Sequence, residues 1–143
     1  MKNSATFSIN IDGVYHSWEV ETLWDFAKNL KTVEWQIPNH FKDTWAWGQS
    51  HPAQHIQRCL NADLSYPILV WQNIIIDGCH RTVKTLAKGE HTIKAKIITE
   101  MPKQKHQAKP KPEDSNHNVH WTYNDIILII QAITKTQNTH HKK

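Results

Sequence analysis

Two short runs of alternating apolar and polar residues open the chain and are separated by a turn signal. Residues 6–11 and 14–18 flank Asp12-Gly13, a dipeptide typical of two-residue β-hairpin turns. Apolar residues then recur at helical spacing over residues 20–30, and Ser17 is the candidate N-cap. The pattern predicts a hairpin followed by a helix.

The middle of the chain is predicted to hold three more strands and one helix. Residues 32–37 alternate as a short strand. Pro52 suits the first turn of a short helix that ends near Asn61. The apolar, β-branched residues of 67–71 and 74–76 predict a buried hairpin closed by a two-residue turn.

A helix and a closing strand are predicted next. Residues 79–88 carry apolar side chains on one face, and Gly89 ends the helix. Residues 92–99 alternate as a strand. Strands that alternate with short helices indicate an α+β fold, here a compact domain with a mixed sheet.

Composition divides the chain into three parts. Residues 1–101 carry the apolar pattern of one domain, whereas residues 102–120 have almost no apolar side chains. Such a segment cannot bury enough surface to fold, so we expect a flexible basic linker. Candidate nonspecific contacts from this linker to nucleic-acid phosphates are Lys103, Lys105, Lys109 and Lys111. A solvated spacer is the competing interpretation.

Residues 121–143 are predicted to form a C-terminal helix and a polar tail. Thr122 and Asp125 resemble a capping box at the start of this helix. The residues that recur with a helical period are Ile126, Ile129, Ile130 and Ile133. Because this apolar face must be buried, the helix docks on its own domain, which we favour, or on a second copy in a homodimer.

Length and composition exclude several classes of protein. The chain has 143 residues, of which 38% are hydrophobic. No apolar run approaches the ~20 residues of a transmembrane helix, and the first ten residues lack the layout of a signal peptide. We therefore expect a cytoplasmic protein without a membrane partner. Lysine and arginine outnumber acidic residues by 17 to 13, and this net charge of +4 admits an anionic partner.

The 11 histidines and two cysteines indicate neither a metal site nor a disulfide framework. We expect Cys59 and Cys79 to be reduced thiols. His51 and His55 have i, i+4 spacing, but no acidic partner lies nearby in the sequence. A metal-dependent nuclease would need such partners, so we predict no metal site.

The sharpest motif is a strand, a glycine turn and a helix at residues 76–89. The first amides of a helix lack intrahelical acceptors and lie at the positive end of its dipole, so they attract phosphate. Gly78 has no Cβ and would let the backbone approach an anion closely. Arg81 and Lys84 lie on a basic stripe of the helix, away from its apolar face.

Three segments around this motif form a signature in a defined order along the chain. It consists of Tyr66-Pro67-Ile68-Leu69-Val70, then Ile74-Ile75-Ile76-Asp77-Gly78-Cys79-His80-Arg81, then Thr92-Ile93-Lys94-Ala95-Lys96-Ile97-Ile98. This order resembles the core of the ParB/sulfiredoxin superfamily, over about residues 52–99. Its members include CTP-binding partition proteins, ATP-dependent sulfiredoxins, free-serine kinases, and ATPase or nuclease effectors. The resemblance implies a ParB-like fold and is poorly specific for activity.

The resemblance implies a site for ATP or CTP, accompanied by Mg²⁺. Phosphate binding carried over from the family falls on Gly78, Cys79, His80 and Arg81. Lys84 is added by its charge alone. ATP-dependent phosphoryl chemistry, of an ATPase or a small-molecule kinase, is the leading hypothesis. Its candidate catalytic residues are Asp77, Cys79 and His80.

Two details keep other activities open. The family's kinases have a glutamate shortly before the helix that precedes the strand beginning at Pro67. Residues 44–60 contain no acid here, so Asp77 or Glu34 would have to substitute. Cys79 follows the sulfiredoxin pattern and is a candidate nucleophile for reducing a cysteine sulfinic acid. The negative charge of Asp77 opposes formation of its thiolate.

The competing class is a binding protein without catalysis. Residues beyond the linker are too few for the helix-turn-helix domain of partition proteins, so we do not expect that role. Trp45 and Trp47 could stack on a base, although tryptophans in a domain with 7 of them are more often core. The alternative is a nucleotide-gated or DNA-associated interaction protein of a phage or plasmid.

Overall fold

A computed structural model of the chain describes residues 5–44, 46, 52–103, 106–108 and 121–141. Within these residues, helices and two β-sheets confirm the predicted α+β class. The two sheets share one apolar region, and the C-terminal helix packs on the domain.

The first sheet has three strands in the order β1-β2-β7. Strands β1 (Thr6–Ile11) and β2 (Val14–Glu19) form the predicted antiparallel hairpin. Its turn residue Asp12 adopts a φ of 54° and Gly13 a φ of 83°, as a tight hairpin turn requires. Strand β7 (His106–Ala108) pairs with β2. The segment predicted as a flexible linker therefore contributes a strand, because β2 offers it an unpaired edge.

The second sheet is mixed and has the order β3-β6-β4-β5. Its strands are β3 (Val33–Gln36), β4 (Ile68–Trp71), β5 (Ile74–Asp77) and β6 (Thr92–Ile98). Strands β4 and β6 are parallel, and the pairs β3–β6 and β4–β5 are antiparallel. All four residues of β4 are buried, since this strand has neighbours on both edges and packing on both faces.

The helical segments agree with most of the predicted ones. They are α1 (Val20–Phe26), a 3₁₀ helix (Asn39–Asp43), α2 (Pro52–Asn61), α3 (Cys79–Ala87) and α4 (Tyr123–His141). The 3₁₀ helix lies in a segment predicted as a loop. In the described part of the chain, no helix is long and apolar enough to cross a membrane.

Two apolar clusters cover the opposite faces of the second sheet. On one face Ile68 and Val70 of β4 pack with residues of α2, α3 and α4. On the other face Leu69 and Trp71 pack with α1 and with aromatic residues of the hairpin. Alternate residues of one strand thus serve two cores, as the pleat of a strand requires.

The prediction that Ser17 caps α1 is wrong. Ser17 is the fourth residue of β2, and its hydroxyl lies 2.7 Å from that of Ser8 on β1. The N-cap of α1 is Glu19, which makes no side-chain capping bond. Helix α1 also ends at Phe26 instead of continuing to Leu30, so its seven residues form barely two turns.

Helix α4 begins with the predicted capping box. The Asp125 amide donates to Thr122 Oγ1 at 3.2 Å, and the Thr122 amide donates to Asp125 Oδ2 at 2.9 Å. The residues of α4 that enter the core are Tyr123, Ile126, Ile127 and Ile130. The helix therefore docks on its own domain. It runs to His141, into the segment from Gln137 onward that was predicted to be a polar tail.

Substitutions on the two faces of α4 test this docking. Ile126 is 1% exposed and Leu128 is 55% exposed. We expect Ile126→Ala to lower the free energy of unfolding by about 2–5 kcal/mol through loss of buried contacts. The isomeric control Leu128→Ala should change it by less than about 0.5 kcal/mol. Urea unfolding measures both, and an equal loss at Leu128 would contradict a docked α4 with an open outer face.

Candidate functional site

The glycine turn between β5 and α3 is fixed by a close contact with β4. Gly78 has a φ of +113° and is the N-cap of α3. A Cβ at this position would overlap Ile68 Cγ2 and lie 2.7 Å from Ile68 Cβ. The sequence pattern predicts that this glycine allows close approach of an anion. The structure gives it a different reason, which is that α3 begins directly against the central strand.

The first backbone amides of α3 lie directly after the glycine turn. The first helical bond runs from the Thr82 amide to the Gly78 carbonyl at 2.9 Å, and Thr82 Oγ1 donates to the same oxygen at 3.0 Å. Gly78 has no side chain that could accept from the earlier amides. An α-helix leaves those amides without intrahelical acceptors, and the helix dipole makes this end positive.

The Arg81 side chain is held beside this turn. Its Nη2 donates to the Pro67 carbonyl at 3.1 Å, which ties α3 to the residue before β4. Its Nε is buried and has no hydrogen-bond partner among the described residues. A buried guanidinium donor without an acceptor is energetically costly.

His80 pairs with a histidine of α2. His80 Nε2 and His55 Nδ1 are 2.9 Å apart, and the two rings stack with centroids 5.2 Å apart. Burial, followed by the nearby His55 and Arg58, lowers the pKa of His80 to about 4. The imidazole is therefore neutral at pH 7, and one of the two histidines donates to the other.

Cys79 is a thiol in this environment. Burial is the largest cause that raises its pKa, and the negative charge of Asp77 raises it further. A hydrogen bond with the Tyr123 side chain and the charge of Arg81 act in the opposite direction but do not overcome burial. Burial raises the pKa of Cys59 to about 12, so neither cysteine is activated as a thiolate.

Asp77 and Lys84 both have structural partners. Trp24 Nε1 donates to Asp77 Oδ2 at 2.7 Å, which joins α1 to the end of β5. Lys84 Nζ donates to the carbonyls of Leu60 at 3.0 Å and Ala62 at 2.8 Å. Lys84 therefore caps the C-terminal end of α2, and its use as a phosphate ligand would break these bonds.

No family model matches this chain, and neither a curated protein nor a solved structure matches it. The resemblance to the ParB/sulfiredoxin superfamily thus stays a prediction.

The structure brings most of the predicted site residues together and adds two that were missed. Asp77, Gly78, Cys79, His80 and Arg81 surround the first turn of α3. His55 and Arg58 of α2 join them through their effect on His80. Their i, i+3 spacing puts them on one face of α2, which is the sequence signal that could have identified them.

Glu34 does not join this site, and several other predicted residues lie outside the described part of the chain. Glu34 lies on β3, at the opposite edge of the sheet from β5, with Thr92 Oγ1 3.3 Å from its carboxylate. Predicted residues that lie outside the described part of the chain include Trp45, Trp47, His51, Lys105, Lys109 and Lys111. Among the described residues, no group of three or more histidine, cysteine or acidic side chains could hold a metal ion.

Two glycine substitutions test the contact between the turn and β4. Gly89 also has a positive φ, of 86°, but a Cβ there would meet nothing within 4 Å. We expect Gly89→Ala to cost about 1–2 kcal/mol of stability, from backbone strain alone. Gly78→Ala should cost more than about 3 kcal/mol, because steric overlap with Ile68 adds to the strain. Equal losses in urea unfolding would contradict the packing role of Gly78.

The lowered pKa of His80 predicts a specific pH dependence. Between pH 6.5 and about 4 the unfolded chain binds a proton at this residue that the folded chain does not bind. The free energy of unfolding should therefore fall as the pH drops through this window. We expect His80→Gln to reduce this fall, and the exposed control His91→Gln to retain it. An NMR titration in which His80 keeps an ordinary pKa would refute the assignment.

Proposed function

We propose that this protein binds the phosphates of a nucleotide, ATP or CTP, at the first turn of α3. The observation that carries the proposal is the buried Arg81 Nε without a partner, next to a helix N-terminus whose cap has no side chain. A phosphate oxygen accepts from both kinds of donor. The proposal is that one anionic group completes both.

The charges around the turn support the same conclusion. Arg58 and Arg81 both lower the pKa of His80, because their positive charge disfavours a proton on its ring. The same field favours an anion at this position. Arg58 is exposed and Arg81 is partly buried, so the field extends from the surface into the site.

The described residues fit a nucleotide that brings its own magnesium ion. Mg²⁺ in nucleotide sites is held largely by substrate phosphates and water, with one or two protein carboxylates. Asp77 is the carboxylate nearest in sequence to the turn, and the Trp24 indole orients it. Asp77 could hold the ion or orient an acceptor hydroxyl, and either role would suit ATP-dependent phosphoryl chemistry.

The alternatives receive different support. A sulfiredoxin-like reaction needs a nucleophilic thiolate, and burial of Cys79 raises its pKa. His80 is neutral at pH 7, but its pKa of about 4 makes it a weaker proton acceptor than an ordinary histidine, so the proposed phosphoryl chemistry rests on Asp77. We keep a nucleotide-gated or DNA-associated binding protein as the alternative, and we place the protein in the cytoplasm, where ATP and CTP are supplied.

Calorimetric titration tests the proposed binding. ATP, CTP, ADP and inorganic tripolyphosphate are titrated with Mg²⁺ into the full chain. Arg58 contributes to the positive electrostatic field at this site without entering the core. We therefore expect Arg58→Gln to weaken binding of the phosphate compounds about 3–10-fold at low salt and less at high salt. Lys94→Gln removes the same charge from an exposed position on β6 and should leave binding unchanged. No binding of any of the four compounds would refute the proposal.

Turnover separates catalysis from gating. Release of phosphate from ATP or CTP by the wild-type protein, reduced at least tenfold in Asp77→Asn, is expected for phosphoryl chemistry. Because asparagine keeps an oxygen that can accept from Trp24, a loss would report the charge. Binding without phosphate release would instead support the gated binding protein.

A further inference from the structure

A cavity of about 290 Å³ opens beside the first residue of α3. Its lining includes Phe41, Thr44, Asn73, Ile75, Cys79 and Tyr123. The lining comes from β3, the 3₁₀ helix and its flanking residues, the β4–β5 turn, β5, α3 and α4. This volume is at the lower end of the range of small-molecule sites, ~300–1,000 Å³.

The walls of the cavity are mainly apolar and partly aromatic. The rings of Phe41 and Tyr123 stack with centroids 4.2 Å apart and an interplanar angle of 15°. Ile74 and Ile75 line the cavity from β5. Flat aromatic and branched apolar side chains of this kind suit a planar ring, which gains dispersion energy by stacking.

Polar groups also line the cavity. Thr44 Oγ1 donates to the Phe41 carbonyl at 2.7 Å, so its lone pairs can accept from a ligand. Asn73 is an exposed residue of the β4–β5 turn, and its amide can both donate and accept. A side-chain amide matches the edge of a nucleobase, where donors and acceptors are adjacent.

The cavity borders the start of α3 at Cys79. This residue lines the cavity, and it is also the first residue of α3, two residues before Arg81. One ligand could therefore place an anionic group at the first turn and a ring in the cavity. The stacked pair of His55 and His80 also lies at the start of α3.

We propose that this cavity binds the base of the nucleotide, between β5 and the Phe41–Tyr123 ring pair. The proposal rests on the proposed function, since it assigns the second half of the same ligand. The cavity walls from β3, the 3₁₀ helix and α4 lie outside the segment that carries the family resemblance. The base subsite would therefore belong to this chain's own additions to that core.

Protection of Cys79 tests the cavity without any phosphate. Cys59 is 0% exposed, so alkylation of the folded protein by N-ethylmaleimide reports on Cys79. We expect saturating adenosine or cytidine to slow the alkylation of wild-type Cys79 about tenfold or more. An unchanged rate with both nucleosides would overturn the base subsite, whatever tripolyphosphate does.

A cavity-filling substitution provides the second test. Ile75→Trp fills the cavity and leaves the amides of α3 in place, while Ile11→Trp makes the same change at an exposed hairpin position. We expect Ile75→Trp to weaken ATP or CTP binding about tenfold, to the affinity of tripolyphosphate, and to leave tripolyphosphate binding unchanged. Retained tripolyphosphate binding also shows that the variant is folded.

A rim variant covers the case in which Ile75→Trp does not fold. Asn73 has a φ of 60°, which glycine adopts without strain, so Asn73→Gly removes the amide and keeps the turn. We expect it to weaken nucleoside binding at least threefold.

If tripolyphosphate binds but nucleosides neither bind nor protect Cys79, the cavity proposal fails and the proposed function stands. If nucleosides protect Cys79 but tripolyphosphate does not bind and ATP, CTP and ADP bind no more tightly than the nucleosides, the phosphate proposal fails and the cavity remains a ring site.

Discussion

The contact between Gly78 and Ile68 is the constraint on which the candidate site depends. Strand β4 is buried on both faces, so its position is set by the two cores around it. Because Gly78 has no Cβ, α3 starts closer to Ile68 than a residue with a side chain would allow. Arg81 then bonds the Pro67 carbonyl just ahead of β4, which holds the same turn a second time.

The chemistry of the site follows from this burial. A helix that begins inside the fold brings its first side chains into a poorly hydrated environment, where charged forms are disfavoured. Burial is accordingly the largest cause of both the raised pKa of Cys79 and the lowered pKa of His80. Burial therefore disfavours activation of Cys79 as a nucleophile.

The C-terminal helix is part of the domain and not an appendage to it. Its isoleucines complete the core on the α3 face, and Tyr123 contacts both Phe41 and Cys79. The Tyr123 amide also donates to the Thr44 carbonyl at 3.0 Å, which joins the start of α4 to the end of the 3₁₀ helix. Helix α4 therefore shapes the cavity beside the turn as well as stabilising the fold.

Local pattern was sufficient for most elements of this protein. Hairpin turns, the capping box at Thr122 and the glycine after α3 could be read from the sequence, because each depends on residues within one or two turns of the chain. Ser17 was misassigned because its hydroxyl bonds Ser8 on the neighbouring strand, a pairing that helix propensity does not contain. Strand β7 was missed for the same reason, since three residues form a strand there only because β2 offers an edge.

The candidate site divides in the same way. That a glycine, a histidine and an arginine open a helix after a buried strand follows from the chain alone, because these residues are adjacent in it. Their environment depends on contacts between distant segments: His55 stacks on His80, Trp24 bonds Asp77, and Lys84 caps α2. These partners lie far apart in sequence, and their pairing depends on how whole helices pack on the sheet, which no local pattern encodes.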